Sequence, residues 1–228
     1  MSLSSDKYSQ KSTESVAAMT LKEKVALMSG RGLNKLVLPI HALFFRHYNK
    51  APYHNADVKR LGIPSVKFCD GPRGVVSQNS TCFPVTMARG ASFDTELERE
   101  VGNAIAREVI AAGGNYFGGV CINLLRHPAW GRAQETYGED PYLLGQMGVA
   151  VTEGVQALGV MACLKHFALN SMENARFKVD VQCSQRTLRE VYLPHFKDCI
   201  DAGAASVMTA YNKVRGEYCG QNTELLRT

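Results

Sequence analysis

Four short polar segments of this 228-residue chain carry side chains suited to one kind of chemistry, the oriented binding of a neutral ligand with many hydroxyls. Asp70 stands before Gly71-Pro72. Arg132 closes the segment Arg126-His127-Pro128-Ala129-Trp130-Gly131-Arg132. Lys165 and His166 are adjacent, and Tyr211-Asn212 follows an apolar run containing Met208. A carboxylate accepts hydrogen bonds while guanidinium, ammonium and imidazole groups donate them, so such a set can hold each hydroxyl of a sugar in one orientation. Every one of these groups also has a plainer explanation. An aspartate before Gly-Pro suits a turn on local grounds alone. Arg132 with Glu135 or Glu139 fits a surface ion-pair set, and we read both glutamates that way, with Asp140 as a helix cap. Lys165 and His166 fit a buried structural pair, although two adjacent basic groups are costly to desolvate unless a ligand or carboxylate lies near. The six histidines form no HxH or HxxxH pair in a plausible site and the seven cysteines no CxxC, so no metal site is expected.

The elements that must position these residues are legible in part. Thr20 and Glu23 have capping-box spacing, so a first helix is predicted to start there, after a polar N-terminal tail over 1–19, and to stop at Gly30 and Gly32. Residues 33–60 show no clean period and read as an irregular surface segment. A strand is predicted over 65–69, ending at the Asp70-Gly71-Pro72 turn. Asp94 or Thr95 caps a helix whose apolar face is Leu97, Val101, Ile105 and Val109, and Gly113-Gly114 ends it. The apolar run 116–125 makes the next strand. Asp140 and Pro141 then open a helix through Leu144, Met147 and Val151 to Gly159. A strand over 160–164 delivers Lys165 and His166. Thr187 and Glu190 suggest another capping box, for a helix past Pro194 to Ile200 that must be kinked or start late. Gly203 closes it, and the strand 205–210 runs into Tyr211.

Strands alternating with helices at this spacing imply βαβ units and a parallel sheet, either a doubly wound sheet or a β/α barrel. Four strands each deliver polar residues at the C-terminal end, and a barrel brings all such ends to one rim, where barrel enzymes build their sites. An open sheet would gather them at a single crevice, and the Gly-rich dinucleotide fingerprint expected there is missing. The predicted class is therefore α/β, an incomplete (β/α)8 TIM-like barrel, because only about five of the roughly eight barrel strands are found.

Composition bounds the function. With 45% hydrophobic and 21% charged residues the chain lies near globular averages, and its length buries a core without disulfides. The net charge of +5 is scattered rather than clustered, which gives no sign of nucleic-acid binding. No stretch approaches a membrane span, and the first residues lack the apolar core of a secretion signal, so a soluble, cytosolic protein with free thiols is expected, the alternative being a secreted or periplasmic protein whose signal peptide has been removed.

The motifs Cys69-Asp70-Gly71-Pro72-Arg73-Gly74, the 126–132 segment with Glu135-Thr136-Tyr137-Gly138-Glu139-Asp140-Pro141, Lys165-His166-Phe167 and Ser206-Val207-Met208-Thr209-Ala210-Tyr211-Asn212 together resemble the family 3 glycoside hydrolases. The resemblance runs from about Thr20 to the end, apart from 33–60. It implies a retaining, exo-acting β-glycosidase on a β/α barrel that removes terminal β-D-glucosyl residues from a β-linked glucoside or oligosaccharide without cofactor or metal. Asp70 resembles the carboxylate that accepts from the 4- and 6-hydroxyls, and Arg132, Lys165 and His166 the donors to the 3- and 4-hydroxyls. Arg176, three residues after Glu173, matches the arginine near the nucleophile, and Met208 and Tyr211 match pocket walls. Many members carry an arginine six residues after the aspartate, where this chain has Val76. The resemblance places the nucleophilic aspartate beyond Thr228 and the acid/base glutamate later still, so no catalytic residue is expected within the chain, which is expected to be inactive alone. Self-association, or pairing with a missing C-terminal half, follows from a barrel left open. The alternatives are an inactive sugar-binding fragment, a β-xylosidase, or a β-N-acetylhexosaminidase. The last is disfavoured because the loop 168–176 holds neither a Pro-Gly-His element nor a histidine.

Overall fold

The computed structural model describes residues 5–29, 51–77 and 79–227. Its elements are α1 (Ser5–Ala18), α2 (Leu21–Leu27), β1 (Tyr53–His54), β2 (Lys67–Cys69), α3 (Thr86–Gly90), α4 (Thr95–Ala111), β3 (Tyr116–Cys121), α5 (Pro141–Gln156), β4 (Met161–Phe167), β5 (Asp180–Val181), α6 (Gln185–Thr187), α7 (Pro194–Asp201), β6 (Ser206–Thr209), β7 (Lys213–Val214), β8 (Glu217–Tyr218) and α8 (Thr223–Arg227). The main sheet has the order β1-β2-β3-β4-β6, parallel except for β1, which pairs antiparallel with β2 at one edge. The connecting helices α4, α5 and α7 pack in series, α4 on α5 and α5 on α7, and so cover one side of the sheet. Between them and the strands lies a core of Ile105, Val109, Phe117, Ile122, Leu144, Met147, Leu164 and Phe196. A second cluster, Ala168, Leu169, Leu188, Ala210, Val214, Cys219 and Leu225, packs near the small sheet β5-β7-β8.

Local signals place the helix ends well. Thr20 and Glu23 form both hydrogen bonds of a capping box, Asp94 accepts from Leu97 N, and Asp140 accepts from Tyr142 N with Pro141 in the first turn. Gly113, Gly159 and Gly203 stand at φ 83°, 78° and 92°, the left-handed conformation that ends a helix without a Cβ penalty.

Several expectations need correction. Ser5–Ala18 is helical, so the helix capped at Thr20 is not the first one. The stops at Gly30 and Gly32, and most of the segment 33–60, lie outside the described residues. Within its described part, Tyr53–His54 is a strand. Leu97 is 44% exposed and Glu98, one position on, is 1% exposed, because the buried stripe of α4 is Glu98, Val101, Ile105 and Val109. Lys165 and His166 lie within β4 rather than after it. Thr187 caps nothing by its side chain; Ser184 does, accepting from Thr187 N, and a π turn over Leu188–Tyr192 separates α6 from α7. Pro194 occupies the first turn of α7, so of the two expected outcomes, a kink or a late start, the helix takes the late start, since the missing N–H and the ring of Pro194 forbid a helix running through it.

Candidate functional site

The turn after β2 brings Asp70 to β4. Gly119 makes this approach feasible, because a Cβ there would meet the Gly71 carbonyl oxygen at 2.4 Å. Lys165 Nζ, on a side chain 4% exposed, donates to Asp70 Oδ1 at 2.7 Å, and Gly71 N donates to the same oxygen at 2.8 Å. Asp70 is 44% exposed, and its Oδ2 receives no hydrogen bond from the described residues. The pair thus buries its cation and leaves an acceptor facing outward. Val76, which donates its N–H to the Asp70 carbonyl at 2.8 Å, is 52% exposed on the same turn.

His166 is held by Asn123 in the loop after β3. Asn123 Oδ1 accepts from His166 N at 2.8 Å and from His166 Nδ1 at 3.0 Å, and Asn123 Nδ2 donates to the His166 carbonyl at 2.9 Å. His166 Nε2 faces Arg132 Nη1 at 2.8 Å. A guanidinium only donates, so Nε2 is the acceptor and the ring proton sits on Nδ1. Burial, reinforced by the charges of Arg132, Lys165 and Arg176, pushes the His166 pKa down to about 2, which fixes the ring as neutral. Both ring nitrogens of His166 thus have partners within the protein. Its Nε2 accepts from Arg132 and so helps to orient that guanidinium.

Arg132 also donates Nε and Nη2 to the two Glu135 oxygens, at 3.0 and 2.5 Å, with side chains 17% and 16% exposed. Glu135 is thus a partly buried fork partner rather than a surface charge. Arg176 Nη1 donates to Glu173 Oε2 at 3.1 Å, and its guanidinium lies 5.0 Å from the Phe177 ring and 5.2 Å from the Tyr211 ring. Those rings are 4.9 Å apart, so a cation and two aromatic faces form one platform. Met208 stands opposite Lys165 in the β4–β6 register. Direct contacts thus join Asp70 to Lys165, His166 to Arg132, and Arg176 to Tyr211. The field of Arg176 on His166 and of Glu173 on Arg132 links the platform to the rest.

Each of the three cations faces one carboxylate, so the rim presents balanced charge with free donor protons and a free acceptor. Such a surface suits a neutral polyol better than an anion. Among the described residues no group of His, Cys, Asp or Glu is placed to hold a metal. Asn123, Glu135 and Phe177 were not foreseen as parts of the site. The available signal for Asn123 was an amide inside the apolar run Ile122-Asn123-Leu124, and such an amide, buried as Asn123 is, needs partners.

Residues 46–228 match the model of the glycosyl hydrolase family 3 N terminal domain. The chain is 37% identical over 225 residues to the thermostable beta-glucosidase B of Acetivibrio thermocellus, covering 92% of this chain and 27% of that one. Beta-glucosidase 3B from Thermotoga neapolitana, solved in complex with glucose, superposes with a TM-score of 0.85 at 36% identity, over 95% of this chain and 31% of that one. The beta-glucosidase of Kluyveromyces marxianus, also solved with glucose, gives 0.82 at 33% identity, over 94% and 24%. The chain thus spans about a quarter of the length of the curated relatives it matches. The parallel sheet with its layer of helices is the corresponding part of an α/β barrel.

Proposed function

The chain belongs to glycosyl hydrolase family 3, and on that footing we propose that it forms the sugar-gripping part of a retaining, exo-acting β-glucosidase that removes terminal non-reducing β-D-glucosyl residues. The observation that carries this reading is the charge-balanced rim of Asp70, Lys165 and Arg132. One carboxylate oxygen and several N–H groups are left unengaged there while their partners hold them in place. In this reading Asp70 Oδ2 accepts from the 4- and 6-hydroxyls. Lys165 and Arg132 donate to the 3- and 4-hydroxyls, Arg176 stands near the reacting carbon, and Met208 and Tyr211 wall the pocket. A retaining glycosidase needs two carboxyl groups about 5 Å apart, one as nucleophile and one as acid. Asp70, Glu135 and Glu173 are each engaged in an ion pair, with Lys165, Arg132 and Arg176 respectively. Following the family resemblance, the bond-breaking pair is assigned to residues outside these 228.

The same proposal takes the protein to be cytosolic, which seven unpaired cysteines support. It also takes the chain by itself to self-associate. Strand β6 lies at an edge of the sheet, and a hollow of about 540 Å³ is lined by Phe167, Leu193, Pro194, Phe196, Ile200 and Leu225 together with the charged Arg189, Lys197 and Asp198. Size-exclusion chromatography with light scattering is expected to show more than a monomer.

Titration with glucose, followed by amide NMR, tests the site. Saturable shifts around residues 70, 132 and 165 are expected, lost in Asp70→Asn, with no turnover of an aryl β-glucoside. Turnover by the 228-residue chain would return the chemistry to one of its own carboxylates, and the absence of a glucose response would remove the sugar reading.

A further inference from the structure

The most deeply buried ion pair among the described residues plays no part in the rim. Arg89 on α3 and Glu98 on α4 are 5% and 1% exposed and bond at 2.7 Å through Nη1 and Oε1. Their geometry is not that of a self-sufficient fork, since Arg89 Nε and Glu98 Oε2 have no partner. The remaining bonds go instead to the two turns that carry the rim. Arg89 Nη2 donates to the Pro72 carbonyl at 2.8 Å, two residues after Asp70, and to Thr86 Oγ1 at 3.1 Å; Thr86 Oγ1 in turn donates to the same carbonyl at 3.2 Å. Glu98 Oε1 accepts from the Tyr137 hydroxyl at 2.5 Å, two residues after Glu135. The Arg89 guanidinium lies 5.9 Å from the Tyr137 ring, and Gly90 lets α3 approach the Tyr137 backbone, where a Cβ would meet its carbonyl oxygen at 2.3 Å. No other described ion pair touches both the turn after β2 and the loop after β3.

We propose that Arg89 and Glu98, with Tyr137, are positioning residues that set the separation of Asp70 from Arg132, and with it the preference of the rim for a hexose over a pentose. The proposal rests on the sugar-binding reading above. Asp70 and Arg132 come from different strands and would grip different hydroxyls, so their spacing decides whether both engage one ring. The carboxyl group that reaches the 6-hydroxyl is the one hung on the Pro72 turn. Stability alone does not call for this arrangement, because a buried ion pair replaced by packed apolar groups is often as stable.

The test uses the double variant Arg89→Met/Glu98→Leu, which removes both charges and strands neither, together with Tyr137→Phe, which removes one hydrogen bond. Glucose and xylose are titrated against each and against the unsubstituted chain by amide NMR, with thermal melts alongside. The expected result for the double variant is a native-like spectrum and a glucose Kd raised about tenfold, with xylose affected less, so that the glucose-to-xylose preference shrinks. Tyr137→Phe is expected to show the same trend at about threefold. A pair that serves stability alone would leave both affinities of a folded variant unchanged, or lower them by the same factor, and either outcome overturns the proposal. If the double variant fails to fold, an unchanged preference in Tyr137→Phe overturns it. Failure of the unsubstituted chain to respond to glucose would instead strike the sugar reading itself.

Discussion

Asp70–Lys165 on the rim and Arg89–Glu98 behind it are ion pairs of equal length, 2.7 Å, in opposite settings. On the rim the cation is buried and the carboxylate is 44% exposed; behind it both partners are at most 5% exposed. The first pair keeps open an acceptor that a ligand can reach. The second engages the turns on either side and offers nothing to solvent. Equal contact distance thus says little about role, because solvation decides what removal of one partner leaves behind.

The largest effect is expected from breaking the deeper pair on one side. Glu98→Ala leaves the Arg89 guanidinium buried and unpaired and is expected to cost about 3–5 kcal/mol, read as a melting temperature lower by on the order of 10 °C. A drop of only a degree or two would mean that water or a neighbour rescues Arg89, and the two settings would not differ as described.

Protonation extends the contrast between buried and open groups. Burial lowers the pKa of His166 to about 2 and of His195 to about 4, from 6.5. Both rings are neutral when folded and take up protons when unfolded, so the unfolded chain binds more protons below about pH 6.5. Stability from this source is complete above that pH and falls as pH drops, by about 1.4 kcal/mol per ring per pH unit. The His195 contribution levels off below about pH 4, while that of His166 continues toward pH 2. Urea midpoints measured at pH 7.5 and 5.5 check the sign, and equal midpoints would contradict it.

Asn123→Ala is expected to come next, at about 2 kcal/mol, since it removes the acceptor shared by His166 N and Nδ1. Ring nitrogen shifts in the NMR spectrum should still show the His166 proton on Nδ1, because Arg132 can only donate to Nε2, and a changed tautomer would show that Asn123 rather than Arg132 fixes it. The smallest effects belong to the rim pair. Asp70→Ala strands a buried ammonium and should cost about 1–2 kcal/mol, whereas Lys165→Met leaves a carboxylate that water already reaches and should cost less than about 1 kcal/mol. Both should abolish the glucose response. Equal destabilisation by the two would erase the asymmetry on which the comparison rests.

What was legible in the sequence was local. The caps at Thr20, Asp94 and Asp140 and the stops at Gly113, Gly159 and Gly203 involve groups a few residues apart, so spacing and residue type suffice to place them. The alternation of strands and helices, and the presence of polar groups at strand ends, followed from the same short-range pattern. The family motifs added the identities of Asp70, Arg132, Lys165 and His166. The tertiary structure alone put Lys165 inside β4, paired with a carboxylate 95 residues away, turned His166 into a neutral support for Arg132, and buried Glu98 where Leu97 was expected. The physical reason is that a pairing partner, a ring tautomer and the buried face of a helix depend on which elements come to lie against one another and how much water they exclude. Neither is a property of neighbours along the chain.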